Sequence, residues 1–518
     1  MTLTLLLALY SLTAAGLLAY GLNCHHLARV ERRERHAARA ARAATRARFS
    51  LADHELPRVT VQLPVFNERL VVQRLLAAVG ALDYPADRLE IQALDDSTDE
   101  TTPLAARACD TLRARGLDVQ HLRRTQRIGF KAGALAEGTA RCRGELIAIF
   151  DADFVPRPDF LRACLPHFSD PQVGLVQARW GHLDREHSWF TRMQALAVDG
   201  HFMIEQSARA WGGYLLNFNG TAGVWRRAAI DAAGGWTADT LTEDLDLSYR
   251  AQLAGWRAEY LPDVVAPAEL PVELRAFLAQ QRRWAQGSIE TALKLGPRVW
   301  RAPLRPAAKL QALLHLTHYA VHPLMLVHSL LALPVLLTLP DDGARTPLLF
   351  FLVMLMAGTL GPALLYVQAQ QAQGGPWRRR LRALPALLFV GCGLAVSNTR
   401  AVWHALRGKP AVFVRTPKRR TVDGDSASAG THYAAPRDPL VAWQLAAGAW
   451  CLGGWCLALA QARWMVLPFL TLNAGGLLLV GLLSAREARQ AARRSAATQR
   501  PPASDAREVV DSGQEAAA

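Results

Sequence analysis

The sequence predicts an α/β domain with a mostly parallel sheet, embedded in a polytopic α-helical membrane protein. Three observations carry that expectation. Apolar residues pile up at 2–22, 311–339, 347–367, 383–397 and 438–484, and the longer runs reach the roughly 20 residues that cross a bilayer core as a helix. Between Arg48 and Trp300 the chain reads as ordinary soluble protein, with short apolar strands alternating with helical stretches. Acidic clusters fall where those strands end, which is where open parallel sheets place their ligands.

The chain has 518 residues, 51% hydrophobic and 20% charged, so length alone implies more than one unit. Segment 2–22 has no basic stretch before it, and Arg29–Arg48 follows it; a cleaved signal peptide shows the opposite order. The expectation is an uncleaved anchor over 1–22 with its N-terminus outside, then a basic cytoplasmic linker over 23–54. The domain over 55–300 then lies in the cytoplasm. The formal net charge of +15 gathers at Arg29–Arg48, Arg378–Arg382, Arg415–Arg420 and Arg486–Arg494, each beside an apolar run. Nucleic-acid binding is one reading of such a balance, but this placement fits the bias of Lys and Arg toward cytoplasmic flanks. It predicts a multi-pass protein of the cell inner (plasma) membrane, with membrane lipids and no nucleic acid among its partners.

Two transmembrane helices are expected in 311–367. Basic clusters on both sides of 383–397 fall inside the cell, so 378–420 reads as an interface or re-entrant helix continuing through Arg400 and His404. Block 438–484 divides near Gln461-Ala462-Arg463 into two spans, giving five in all. The stretch 485–518, with little to bury, reads as a disordered cytoplasmic tail. Seven cysteines lack metal-ligand or redox spacing and read as reduced structural thiols. His315, His318 and His322 fall on one face of the first span after the domain. A metal site is one reading; a polar path or a contact with a neighbouring helix is the commoner one at membrane depth.

In the soluble domain, Val59-Thr60-Val61-Gln62-Leu63 stops at Pro64 as a buried strand does. A helix follows, with Leu70, Val71, Leu75, Leu76 and Val79 on its apolar face. Leu89–Leu94 is a second strand and runs into Asp95-Asp96. A further helix precedes the strand Asp118–Leu122, and Leu146–Phe150 runs into Asp151-Ala152-Asp153. Taken alone, Asp95-Asp96-Ser97-Thr98-Asp99-Glu100 is a helix cap and turn, and Asp often ends strands. Together the two pairs gain weight, because Mg²⁺ or Mn²⁺ is held by one or two carboxylates plus phosphate oxygens. Lys131, flanked by Gly129 and Gly133, is either a phosphate ligand or a solvated surface lysine. Thr242-Glu243-Asp244 reads as a helix N-terminus with Thr242 as cap, and a base there is compatible with that reading. Trp284 is either a membrane-surface anchor or a stacking platform.

As a set, Gln62-Leu63-Pro64-Val65-Phe66-Asn67-Glu68, Asp95-Asp96, Phe130-Lys131-Ala132-Gly133, Asp151-Ala152-Asp153, Thr242-Glu243-Asp244 and Gln280-Gln281-Arg282-Arg283-Trp284 resemble the processive, cellulose synthase-like family-2 glycosyltransferases. The resemblance spans 55–300, and from Pro64 to Thr102 it is nearest the glucomannan (β-mannan) synthases of plants and their bacterial relatives. Thr416-Pro417-Lys418, after Phe413-Val414-Arg415, is similar to the gating segment of cellulose synthases. The family implies a GT-A fold, an inverting mechanism, a nucleotide-sugar donor (UDP-glucose or GDP-mannose) and a membrane channel for the polymer. It also implies that Glu68, Asp95, Asp96 and Lys131 hold the donor, and that Asp151 and Asp153 serve the nucleotide and its Mg²⁺ or Mn²⁺, with Asp153 the metal ligand. Asp244 becomes the general base. Asn219 and Gly220, in the segment Asn217–Thr221, lie near the acceptor, and Gln280, Gln281, Arg283 and Trp284 bind diphosphate and the acceptor sugar. Arg283 suits that role because its planar fork pairs with phosphate.

The resulting expectation is a β-glycan synthase acting on a growing glycan. A glycolipid synthase with a lipid acceptor shares every donor-side carboxylate and differs only in product. A transporter or scaffold with an inactive domain would have lost acids from this set, and none is missing. Only one span precedes the domain and no second-messenger domain is evident after the last one, so regulation of the bacterial cellulose synthase kind is not expected.

Overall fold

The computed structural model describes residues 3–338, 345–409 and 439–498. In chain order the domain comprises β1 (Val59–Val65), α2 (Val72–Val79), β2 (Leu89–Asp95), α3 (Thr101–Ala114), β3 (Asp118–Arg123), α4 (Phe130–Arg141), β4 (Leu146–Ile149) and α5 (Phe160–Cys164), all after α1 (Leu3–Arg48). Then come β5 (Val173–His182), α6 (Trp189–Gly200), α7 (Ser207–Trp211), β6 (Gly223–Arg226), α8 (Arg227–Ala232), α9 (Glu243–Leu253), β7 (Arg257–Ala268) and α10 (Leu274–Arg301). The strands form one seven-stranded sheet in the order β3-β2-β1-β4-β6-β5-β7. β1 runs parallel to β2 and β4, β2 to β3, and β5 to β7, while β6 is antiparallel to both its neighbours.

β1 is buried on both faces, as parallel strands covered by helices are. Two of its polar side chains bond across the sheet: Thr60 Oγ1 donates to Glu90 at 2.6 Å and Gln62 Nε2 to Gln92 at 3.1 Å. Register sets the site. Val65 at the end of β1 lies opposite Asp95 at the end of β2, and Gln62 opposite Ile149 of β4. The residues that follow these three strands therefore share one edge.

The membrane part corrects several expectations. The run 23–48 is not a separate linker but the continuation of α1, a single 46-residue helix. Its Ala and Arg content favours helix, and Glu31, only 1% exposed, takes a forked pair of bonds from Arg35 at 2.6 and 2.8 Å. The first run after the domain is not one helix. α11 (Pro306–Leu316) ends at Thr317, and a tight turn leads into α12 (Val321–Thr338). The run 347–367 lies inside α13 (Arg345–Gln373), and α14 (Trp377–Arg380) follows. α15 (Leu384–Gly393) and α16 (Ala395–Leu406) meet at 46°, the form of a broken span or a re-entrant loop. The chain reverses at Gln461–Arg463 between α17 (Leu440–Ala460) and α18 (Leu467–Thr498). α18 carries helix through residues 485–498, where a structureless tail was expected. The segment Phe413–Lys418 lies outside the described residues. Among the described residues, four helices are long and apolar enough to cross a membrane, or five with the bent pair.

The Asp199 carboxylate is one of the links between the domain and these helices. Asp199 of α6 receives His182 Nε2 at 3.1 Å, Arg185 at 2.7 Å, and Gln370 and Gln373 of α13 at 2.8 and 3.2 Å. Burial pushes its carboxyl up, but these donors, His182 first, hold it well below the usual range.

Candidate active site

The shared sheet edge carries the predicted acids. Asn67, with φ 57°, turns the chain after β1. Its amide N–H donates to Ser97 Oγ at 2.9 Å and its Oδ1 accepts from Thr98 N–H at 2.8 Å, tying the ends of β1 and β2 together. Glu68 follows, buried. Asp95 is 1% exposed, and both its oxygens face inward, toward Ser97 N–H at 2.8 Å and His121 Nε2 at 3.0 Å. Burial raises the Asp95 carboxyl, but the hydrogen bonds from His121 and Ser97 bring it below its ordinary value. Asp96 is gripped by Arg124, whose Nε lies at 2.7 Å, with Arg127 at 3.7 Å. Arg127 is stacked over Phe66, 3.4 Å from the ring centroid. Asp99 Oδ1 accepts the Thr101 N–H at 2.9 Å in a turn just before α3, so the turn reading holds for it.

The other acids converge around Lys131. Its ammonium lies 2.5 Å from Asp151 and donates to the Gly220 carbonyl at 2.9 Å, so it is neither solvated nor isolated. Asp151 is partly open, with its backbone N–H on Thr221 Oγ1 at 2.9 Å, and Asp153 is buried two residues on. Gly220 has φ +80°, and a Cβ there would stand 2.9 Å from Asp244 Oδ2 and 3.3 Å from Lys131 Nζ. Asp244 and Lys131 thus meet over a glycine that no larger residue can replace without displacing one of them.

Thr242 starts α9, but its side chain does not cap it; its hydroxyl faces Thr291 at 3.2 Å. Asp244 Oδ1 instead accepts the Leu245 N–H at 2.8 Å. α10 holds this corner from below: Gly287 packs against Thr242, and Glu290 accepts the Leu241 N–H at 2.9 Å. Burial and then the neighbouring Glu243 push the Asp244 carboxyl up to about 7, against the pull of Lys131. Glu243 is raised by burial as well. Burial lowers Lys131, yet Asp151 and Glu243 more than reverse it. Arg283 is lowered by burial while Glu243, Asp151 and Asp244 draw it up, which places it in the same charge cluster. Asp246, the other candidate in this segment, is fully buried against Arg250 at 2.7 Å and Lys294 at 2.9 Å and serves structure.

On α10, residues Gln280, Arg283, Trp284 and Gly287 recur at helical spacing and share the face turned to Thr242. Gln281 sits about 200° around the helix from Arg283, off that face. All four predicted side chains of this segment are half-buried. Asn219 lies beside Gly220, its Nδ2 on His201. The three predicted histidines fall on three different elements: His315 bonds Tyr249 Oη at 2.7 Å, His318 Nδ1 meets the His315 carbonyl at 2.7 Å, and His322 lies on α12. No group of three or more metal-ligating side chains forms among the described residues.

Reasoning from sequence passed over Glu243, His121, Arg124, Thr221, His201 and Glu205. Glu243 and Thr221 carried a signal, since they stand inside the singled-out Thr242–Asp244 triplet and Asn217–Thr221 segment. For a metal, Asp151 supplies a hard oxygen donor beside the Lys131 ammonium and the Arg283 guanidinium, both suited to phosphate, and the buried Asp153 carboxylate follows two residues on. That set fits a divalent cation whose shell is completed by diphosphate and water, not an all-protein cage.

A family model described as Glycosyltransferase like family 2 matches residues 57–287. Glucomannan 4-beta-mannosyltransferase 2 of Arabidopsis thaliana is 45% identical over 242 residues, covering 46% of this chain and 45% of that protein. Glucomannan 4-beta-mannosyltransferase 1 of Oryza sativa subsp. japonica is 45% identical over 246 residues, covering 46% of each. The matched region spans about half the length of these relatives. A mannosyltransferase from Pyrobaculum calidifontis, solved with GDP-Man and Mn²⁺, is 22% identical with a TM-score of 0.49, covering 77% of this chain and 100% of that one. Residues 57–287 are thus similar to a family-2 glycosyltransferase domain, and they hold the seven-stranded sheet and the acidic cluster at its edge.

Proposed function

We propose that the protein is a membrane-integrated inverting glycosyltransferase that polymerises a β-linked mannan or glucomannan from a nucleotide-sugar donor at the cytoplasmic side of the inner membrane. The observation that carries this reading is the Asp244 carboxyl, held over Gly220 beside Lys131 and raised to about 7. A base with that affinity accepts a hydroxyl proton near neutral pH and then holds it. The mannosyltransferase names of the relatives favour GDP-mannose over UDP-glucose.

In the proposed reaction the donor lies along the sheet edge near Glu68, Asp96 and Asp151. Asp95, turned inward, acts by fixing the turn that carries Asp96 and Ser97. Asp151 and Asp153 would hold Mg²⁺ or Mn²⁺, which offsets charge on the departing diphosphate. Lys131 and Arg283 face the same diphosphate as point charge and planar fork. Trp284 stacks on the acceptor's terminal sugar with Gln280 beside it, and Gln281 contributes from the helix flank. Asp244 takes the proton of the acceptor hydroxyl, whose oxygen bonds the anomeric carbon as the diphosphate oxygen departs from the opposite face. An α-linked donor thereby gives a β linkage.

The test is to incubate membranes containing the protein with labelled GDP-mannose or UDP-glucose, then size and enzymatically digest the product. A mannanase-sensitive polymer formed from GDP-mannose supports the reading. Transfer that stops at one or two sugars on lipid overturns polymerisation.

A further inference from the structure

Between α6 and α7 the backbone widens into one turn of π-helix, His201–Gln206, a form concentrated at functional sites. This turn aims two side chains at the acceptor-side loop. Gln206 Nε2 donates to the Asn217 carbonyl at 2.9 Å and also to Asn219 Oδ1. Asn219 Nδ2 lies 3.0 Å from His201 Nε2, and the Asn219 N–H donates to Gln177 Oε1 at 3.0 Å. His201 Nδ1 stands 2.9 Å from Glu205, which is 3.6 Å from Arg209.

One backbone carbonyl orients this whole chain of bonds. The Asn217 carbonyl only accepts, so the Gln206 amide nitrogen points at it and at Asn219 Oδ1. Asn219 must then present its NH₂ to His201, which leaves His201 Nε2 bare as the acceptor. The His201 proton sits on Nδ1 and is donated to Glu205. Each group has one workable orientation.

We infer that His201 and Glu205 are positioning residues for the acceptor loop, holding Asn219 so that Gly220 stays seated under Asp244 and Lys131. The inference rests on the transferase reading above. Protonation at Nε2 would set a second donor against the Asn219 NH₂, and turning that amide over would set it against Gln206. The network therefore requires neutral His201. The charged and titratable groups around it are Glu205 and Arg209 from its own segment and His315 and His318 from the α11–α12 junction; Cys24, Tyr319 and Tyr366 face Glu205.

The experiment compares full-length wild type, His201→Gln, His201→Leu and Glu205→Gln in lipid nanodiscs. The Gln amide oxygen can replace Nε2 as acceptor, whereas Leu cannot. Losing one such bond corresponds to about a 3- to 10-fold change. His201→Leu should raise the acceptor KM by about that factor with nucleotide affinity unchanged, and Glu205→Gln should do so more weakly. His201→Gln should keep the wild-type acceptor KM. Hydrogen exchange of residues 215–222 should quicken about 3- to 10-fold in His201→Leu and not in His201→Gln. Unchanged exchange and KM in the Leu variant, or equal losses in Leu and Gln, overturn the inference. Because exchange needs no turnover, a wild type that uses neither sugar donor would sink the functional reading alone.

Discussion

Asp244→Asn removes the proposed base while keeping the side-chain shape. The structure raises this carboxyl from 3.8 to about 7, a shift of about 3 units, worth at most about 4 kcal/mol at roughly 1.4 kcal/mol per unit. Asp244 is half-buried, so water screens part of that cost and about 1–2 kcal/mol is the working figure. The sign follows from the raised value. Wild type has its full stability from this group while the carboxyl stays protonated, below its unfolded value near 4, and loses it as pH rises through about 7. Asn never ionises. The variant should therefore match wild type below about pH 4 and exceed it above about pH 7. For a domain of this size that is about 2–8 °C in melting temperature. Thermal unfolding of both proteins in chelator, without nucleotide, reads this directly. Turnover should fall about 10²- to 10⁴-fold with nucleoside diphosphate affinity nearly intact, and the wild-type rate should decline below about pH 7. A variant that turns over at the wild-type rate, or that melts lower than wild type at pH 8, would refute the assignment.

Gly220→Ala places a Cβ 2.9 Å from Asp244 Oδ2 in a left-handed backbone. It should reduce kcat about tenfold or more and cost about 1 kcal/mol of stability, measured by initial rates and melting. Trp284→Ala should raise the acceptor KM, while Trp284→Phe, which keeps an apolar ring, should recover most of it; equal losses would argue against stacking. Asp199→Ala strips an acceptor from four donors and should destabilise the protein by about 3–5 kcal/mol, seen as early melting in detergent. Excess chelator should abolish transfer, and Mg²⁺ or Mn²⁺ should restore it; undiminished rates in chelator would exclude the role given to Asp151 and Asp153.

The sheet and its acidic edge were legible because local rules agree there. β-branched runs ending in Asp-Asp or Asp-x-Asp say both strand and strand end, and parallel pairing then brings those ends together. The partners of the acids were not legible. His121 reaches Asp95 through the pairing of β2 with β3, and His201 reaches Asn219 across 18 residues through a π-turn that leaves no sequence period. Glu243 was absorbed into the expectation that acids favour helix N-termini. The extent of α1 was hidden because the switch from apolar to basic composition masks unbroken helix propensity. The break at Thr317 was hidden because hydropathy reports burial in lipid, not backbone continuity.

α1 carries a structural consequence of its own. At 1.5 Å per residue its 46 residues span about 69 Å. Gly21 packs directly on the backbone of Gly358 in α13, while Arg42 reaches Asp263 at 3.2 Å and lies over Trp211. A single helix thus fixes how far the Asp244–Lys131 cluster of the domain stands from the apolar end of α1, and its screw pitch fixes the rotational phase between the two ends. Changes of length along it are not neutral: one added residue would swing the Arg42 contact about 100° around the axis.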